Sequence, residues 1–155
     1  TALVHGNMGM ARMTAINQNV IAIVTVCDKN VSCPLPSPTT GVAPFTPTNV
    51  TVFFTGIAGL PTLTLDSEVS LTNAAGAAVG AGVSSPQDIQ FNTMGLRVNT
   101  GNANNLCMTN AGVATACTNA TSQALNFKNS KGLNYRIAVL PTGKIAWCYS
   151  GTCAG

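Results

Sequence analysis

Charge is what this sequence has least of. Only 7% of its residues are charged and 5% aromatic, with one histidine, one tryptophan and four carboxylates. A globular domain usually carries charge on about a quarter of its residues. Asp28, Asp66, Glu68, Asp88 and the lone imidazole of His5 leave little for acid–base chemistry. No nucleophile elbow, phosphate-binding loop or metalloprotease pattern is present. The chain therefore reads as non-enzymatic, with no cofactor and no metal expected. Long apolar runs are also missing: residues 20–26 form one of the longest, yet it is interrupted by Thr25 and too short to cross a bilayer.

What is present points to a packed domain. Apolar residues make up 46% of 155, enough for one sizeable core, and the reverse of the composition of a disordered chain. Thr, Asn, Ser, Gly and Ala must then form much of the surface, which suits a protein that packs against neighbours or works outside the cell. The first residues, Thr1-Ala2-Leu3-Val4, fall inside a helical pattern rather than on a start signal. They are read as the stump of a helix in a mature or engineered fragment.

Six cysteines fall in three close couples, Cys27/Cys33, Cys107/Cys117 and Cys148/Cys153, with five, nine and four residues between partners. An even count in short couples favours disulfides and an oxidising compartment. Many connectivities are possible; nearest-neighbour pairing is the expectation. A zinc site is disfavoured, because no C-x-x-C pair occurs and His5 is distant from every couple in sequence.

The expected organisation is one domain over residues 1–155, a helical stump over 1–18 and a β-rich head over 19–155. Val4, Met8, Ala11 and Ala15 recur at helical spacing, with Leu3, Met10 and Met13 widening the stripe. Gly6 and Gly9 each weaken an isolated helix by about 1 kcal/mol relative to Ala, so the helix must depend on packing. Residues 20–26 are β-branched and nearly all apolar, a strand covered on both faces. A proline-rich arm spans 34–48. Short β-like runs follow at 50–55, 62–65, 68–71, 89–91, 96–98, 106–108, 124–127, 135–140 and 144–148. Pro141-Thr142-Gly143 reads as a hairpin turn. The predicted class is α+β: an N-terminal helix packed on antiparallel sheets.

A helix feeding a strand, followed only by strands, resembles the globular part of type IV pilins and type II secretion pseudopilins. Ala11-Arg12, Ala15-Ile16 and Asn19 are similar to the L-x-x-A-R-x-x-A-I-x-x-N signature of the GspH/FimT family of minor pilins and pseudopilins. Val24 to Cys27, with Cys33, resembles that family's first-strand ending, and Val139-Leu140-Pro141-Thr142-Gly143-Lys144 its C-terminal strand–turn–strand. The resemblance implies a pilin-like fold and no enzymatic activity. It also implies an upstream apolar helix anchored in the inner membrane, and assembly with other pilin or pseudopilin subunits into a type IV pilus or type II secretion pseudopilus. The protein would then be periplasmic or extracellular.

Charge is unevenly distributed: residues 1–88 carry a net −2 and residues 89–155 a net +5. Relatives of the resembled family that bind double-stranded DNA for uptake carry Gly-Arg-x-Arg where this chain has Gly143-Lys144-Ile145-Ala146. That departure keeps one cation and loses the second, and Lys lacks the planar fork of Arg. Lys128, Lys131, Arg136 and Lys144 are the candidate DNA-binding residues, with Tyr135, Trp147 and Tyr149 available for base stacking. Arg12, a lone cation on the helix, is expected either in water or paired with a carboxylate of this sheet or of a neighbouring subunit. Asp66 and Glu68, two apart on an expected strand, would face one side. An unrelated secreted β-rich adhesin is the remaining alternative.

Overall fold

The computed structural model describes residues 2–33, 46–57, 59–72, 86–109 and 114–149. Residues 34–45 of the proline-rich arm, the Ala/Gly-rich segment 74–83 and the pairing of Cys148 with Cys153 lie outside the described residues.

Helix α1 runs Ala2–Gln18. It ends at Asn19, which adopts the left-handed conformation with φ 54°. The Val20 amide reaches back to the Ala15 carbonyl at 3.1 Å, and the Asn19 amide to the Ile16 carbonyl at 3.4 Å. This is the double closure of a Schellman cap, with Asn in the position glycine more often takes. The chain then reverses into β1 (Ala22–Cys27), which is buried along nearly its whole length. Apolar β-branched residues in a central strand account for that burial.

Strand β1 is central in a five-stranded antiparallel sheet with β2 (Thr51–Thr55), β3 (Leu63–Thr64), β5 (Gln87–Phe91) and β6 (Arg97–Val98), in the order β3-β2-β1-β5-β6. Val24 lies between Phe54 and Ile89. The second sheet is built around β9 (Ser122–Lys128), with order β11-β10-β9-β7-β8. Strand β10 (Asn134–Val139) pairs along one edge of β9. The other edge is shared: β7 (Leu106–Met108) pairs with residues 122–124, and β4 (Ser70–Thr72) with residues 126–128. Strands β8 (Ala114–Thr115) and β11 (Ile145–Tyr149) complete it.

One apolar cluster draws on α1 and on both sheets. Val4, Met8, Ala11 and Ala15 of the helix share it with Val24, Val26, Ile89 and Phe91 of the first sheet and Leu125, Phe127, Ile137 and Val139 of the second. All of these are fully buried. A smaller cluster, Met108, Ala124 and Ala138, lies on the opposite face of the second sheet.

The α+β, pilin-like expectation is corrected. Strand accounts for 39% of the described residues and helix for 14%, so the chain is a mostly β protein with two antiparallel sheets and one N-terminal helix. The physical reason is one of proportion: a single helix of 17 residues supplies four side chains to a core otherwise made by two sheets, and forms no layer of its own.

Two disulfides are formed, Cys27–Cys33 and Cys107–Cys117. The first closes the loop leaving β1, and the second ties β7 to the segment after β8. They mark an oxidising, non-cytoplasmic compartment.

A buried cation joins the two sheets. Arg97 on β6 is 2% exposed. Its Nε donates to the Thr121 carbonyl at 3.1 Å, Nη1 to Gln123 Oε1 at 2.9 Å, and Nη2 to the Thr121 carbonyl at 2.8 Å and to the Thr118 carbonyl. Gln123 Nε2 in turn donates to the Asp88 carbonyl of β5 at 2.6 Å. Desolvation holds the Arg97 pKa below its ordinary value, but a guanidinium starts so high that it stays charged at any ordinary pH. Neutral carbonyl oxygens carry its compensation.

Candidate functional site

Three distant segments of the chain meet at a clasp on α1. Arg12 Nε donates to the Gly95 carbonyl at 2.9 Å, and Nη2 to the Thr142 carbonyl at 3.4 Å. Arg12 thus pairs with backbone carbonyls of two separate turns, and with no carboxylate among the described residues.

Each turn is shaped for this approach. In the turn between β5 and β6, Asn92 Oδ1 accepts the Met94 and Leu96 amides at 2.9 and 3.0 Å, and Gly95 sits at φ 77°. In the β10–β11 turn, the Gly143 amide donates to the Leu140 carbonyl at 2.8 Å, with Gly143 at φ 86°. A Cβ on Gly143 would overlap the Gly95 carbonyl oxygen and lie 2.5 Å from Arg12 Nε; one on Gly95 would lie 2.6 Å from Ile16 Cδ1. Both positions require a residue without a side chain. The Arg97 amide also donates to the Pro141 carbonyl at 3.2 Å, fastening the turn to β6. One helical turn and more from Arg12, His5 Nε2 donates to the Ile145 carbonyl at 3.2 Å.

Beside the clasp runs an open groove of about 680 Å³. One wall is helical, made by Gly6, Gly9, Met10 and Met13; the other is the segment 142–145. A Cβ added at Gly6 or Gly9 would meet nothing within 4 Å. The helix therefore has two apolar faces. Val4, Met8, Ala11 and Ala15 face the core, while Leu3, Met10 and Met13 are 60%, 55% and 50% exposed. Positions 3, 6, 10 and 13 follow the i, i+3, i+7 rule of a contact stripe.

The candidate DNA-binding residues do not gather into one patch. Lys128 closes β9 and Lys131 lies in the β9–β10 turn, whereas Lys144 lies in the turn at the other end of β10. The six residues of β10 separate these ends by roughly 17–20 Å, at about 3.3 Å per residue. Arg136 is half-buried; its Nε donates to Asn126 Oδ1 at 2.8 Å and its Nη1 reaches Met108 Sδ at 3.5 Å. Desolvation lowers its pKa from the usual value without neutralising it.

Nor do Lys128 and Arg136 share a face with the aromatic positions. Cross-strand partners lie on one face and successive residues alternate. Tyr135 pairs with Phe127 and Tyr149, and Ile137 with Trp147, so these positions belong to the face that carries the core. Arg136 pairs with Asn126 and Cys148, and Lys128 with Asn134, on the opposite face.

The carboxylates are dispersed. Asp28 is buried, and its Oδ1 accepts the Lys29 and Leu71 amides at 2.9 and 3.1 Å, linking the end of β1 to β4. Burial raises its pKa, against the lowering effect of those amides and of the Lys29 charge. Asp66 and Glu68 are not on a strand: Asp66 Oδ1 caps the β3–β4 turn by accepting the Glu68 amide at 3.2 Å. Asp88 Oδ1 accepts from Thr100 Oγ1 at 2.6 Å and Asn105 Nδ2 at 3.1 Å. Among the described residues no three His, Cys, Asp or Glu side chains are grouped to hold a metal ion.

Sequence reasoning missed Arg97, Gly95 and the His5 contact. Gly95 had a local signal, since Asn92 to Gly95 is turn chemistry. Arg97, between Leu96 and Val98, had none beyond sitting in an apolar run. Compared with protein-family models, with curated proteins and with solved structures, the chain matches none.

Proposed function

We propose that this chain is a structural subunit of an exported filament or pseudofilament, a minor pilin or pseudopilin of a type IV pilus or type II secretion system, that assembles through the outer face of α1. The observation that carries this reading is the pair of apolar faces on one helix. A surface helix of a free-standing domain turns polar residues outward; here Leu3, Met10 and Met13 point away from the core that Val4, Met8, Ala11 and Ala15 fill. The clasp adds support, because it joins two of the three sequence regions on which the family resemblance rests, the Arg12 helix and the Pro141–Gly143 turn. The work of such a subunit is packing, which needs none of the dispersed titratable groups.

The test is filament incorporation in cells producing the full-length protein. Surface filaments are sheared off and probed for the chain, wild type against a Met10→Glu, Met13→Glu double variant. Wild type is expected in the filament fraction. The variant, folded and disulfide-bonded, is expected to stay with the cell body. Equal recovery of both, or absence of the wild type from the fraction, overturns the reading.

DNA binding for uptake is a second reading, with one supporting observation: Lys144 is exposed on the rim of the groove. The separation of Lys144 from Lys128 and Lys131, and the engagement of Arg136 within its sheet, weigh against it. A gel shift with duplex DNA across a salt series decides: binding that fades with salt and is lost in Lys144→Ala supports it. No shift at low salt removes it.

A further inference from the structure

We infer that the groove beside the clasp receives a helix of another subunit, and that this helix carries a carboxylate along the edge of its apolar face. The inference rests on the assembly reading above and names the chemistry of the partner at that surface.

Three observations lead to it. The first is shape. Gly6 and Gly9 leave open space where side chains would stand, and Met10 and Met13 flank that space. Small residues let a second helix axis come close, and unbranched thioether side chains adapt to its ridges. The second is the sign of the rim. His5, Arg12 and Lys144 all line the groove, and its lining among the described residues holds no carboxylate. Lys144 is exposed and lies on the wall opposite Met10 and Met13. The third is what this charge excludes. A second copy of this chain packing α1 against α1 would bring Arg12 and Lys144 toward their own duplicates, a like-charge contact that disfavours association. Nor does the groove present a Phe, Tyr or Trp ring for a base to stack on, as single-stranded nucleic acid would prefer. A partner with apolar ridges and an acidic flank satisfies both walls.

The test uses the folded, oxidised chain and three labelled probes read by fluorescence anisotropy at low salt. Two are synthetic 18-residue helical peptides with the same Leu/Ala face, one flanked by Glu and one by Lys. The third is a short DNA duplex. The Glu peptide is expected to bind at least tenfold tighter than the Lys peptide. Lys144→Glu is expected to reverse that preference, and Gly9→Leu to weaken the Glu peptide about tenfold or more by filling the groove. Both positions are free of the packed core, and thermal melts of each variant establish that the fold persists. Equal binding of the two peptides, no binding of the Glu peptide, or indifference to Lys144→Glu overturns the inference. Tight binding of the duplex with the Glu peptide excluded assigns the groove to nucleic acid and also overturns it. A self-associating wild type whose dimer survives Lys144→Glu gives the surface to a second copy, with the same consequence. Filament incorporation is a separate measurement, so it can succeed while this partner chemistry fails.

Discussion

Gly143→Ala is the sharpest test of the clasp. Gly143 holds φ 86°, a left-handed conformation that costs an L-residue about 1–2 kcal/mol. Its new Cβ would also overlap the Gly95 carbonyl and crowd Arg12 Nε at 2.5 Å, so one turn must retreat and the charge-assisted bonds of Arg12 lengthen. Losing a hydrogen bond to a charged group costs about 1.5–3 kcal/mol, which brings the expected total to about 2.5–5 kcal/mol. Gly132→Ala supplies the control. Gly132 sits at φ 83° in the β9–β10 turn, and a Cβ there would meet nothing within 4 Å, so only the backbone cost of about 1–2 kcal/mol applies. Urea unfolding of both variants, with unchanged m-values, measures the difference. The gap should be about 1.5–3 kcal/mol and should largely vanish when both are placed on an Arg12→Ala background. Equal destabilisation of the two glycine variants would refute the argument that the two turns are in rigid contact through Arg12.

Other outcomes follow from the same geometry. Gly6→Ala, on the open side of α1, should stabilise the isolated domain by about 0.5–1 kcal/mol in thermal or urea melts, because alanine removes backbone freedom without meeting a neighbour. Reducing agent should lower the melting temperature markedly, since each of the two loops, with partners 6 and 10 residues apart, contributes about 2–3 kcal/mol through loop closure. An unchanged melt with DTT would sink that assignment. For Asp28 the raised pKa means the fold holds its proton more tightly than the unfolded chain does. Stability measured by urea melts should therefore increase as pH falls from neutral through its folded-state pKa toward the unfolded value near 3.8. Asp28→Asn should flatten that slope while keeping an acceptor for the Leu71 amide.

Local features were legible in the sequence because local physics sets them. The helical spacing of Val4, Met8, Ala11 and Ala15 returns as the buried face of Ala2–Gln18, and the close cysteine couples return as two disulfides. The Pro-Thr-Gly turn returns with Gly143 at positive φ. What was not legible depends on contacts between distant segments. Strand β1 takes β5 as a neighbour, and β9 takes β4 and β7 on one edge. Nothing in the order of the runs indicates that they split into two sheets, and reading order alone led to a helix-on-sheet class. Ala114–Thr115 is a two-residue exposed strand with no pattern to announce it. Asp66 and Glu68 show the converse error: both are expected on one strand, but an aspartate that can accept the amide two residues on forms a turn instead.

The clasp explains why its residue types belong together. Arg12 must reach two carbonyls on separate turns at 2.9 and 3.4 Å, which a planar fork with several fixed donors does and a single ammonium does poorly. The turns can come that close only where Gly95 and Gly143 leave room. Arg12, Gly95 and Gly143 are thus one geometric requirement of the fold. Leu3, Met10, Met13 and Lys144 are different: they are exposed, and the packing of the described core would survive polar replacements at each. This residue set, which the fold does not need, is the surface on which the proposed assembly rests; Met10, Met13 and Lys144 of it line the open groove.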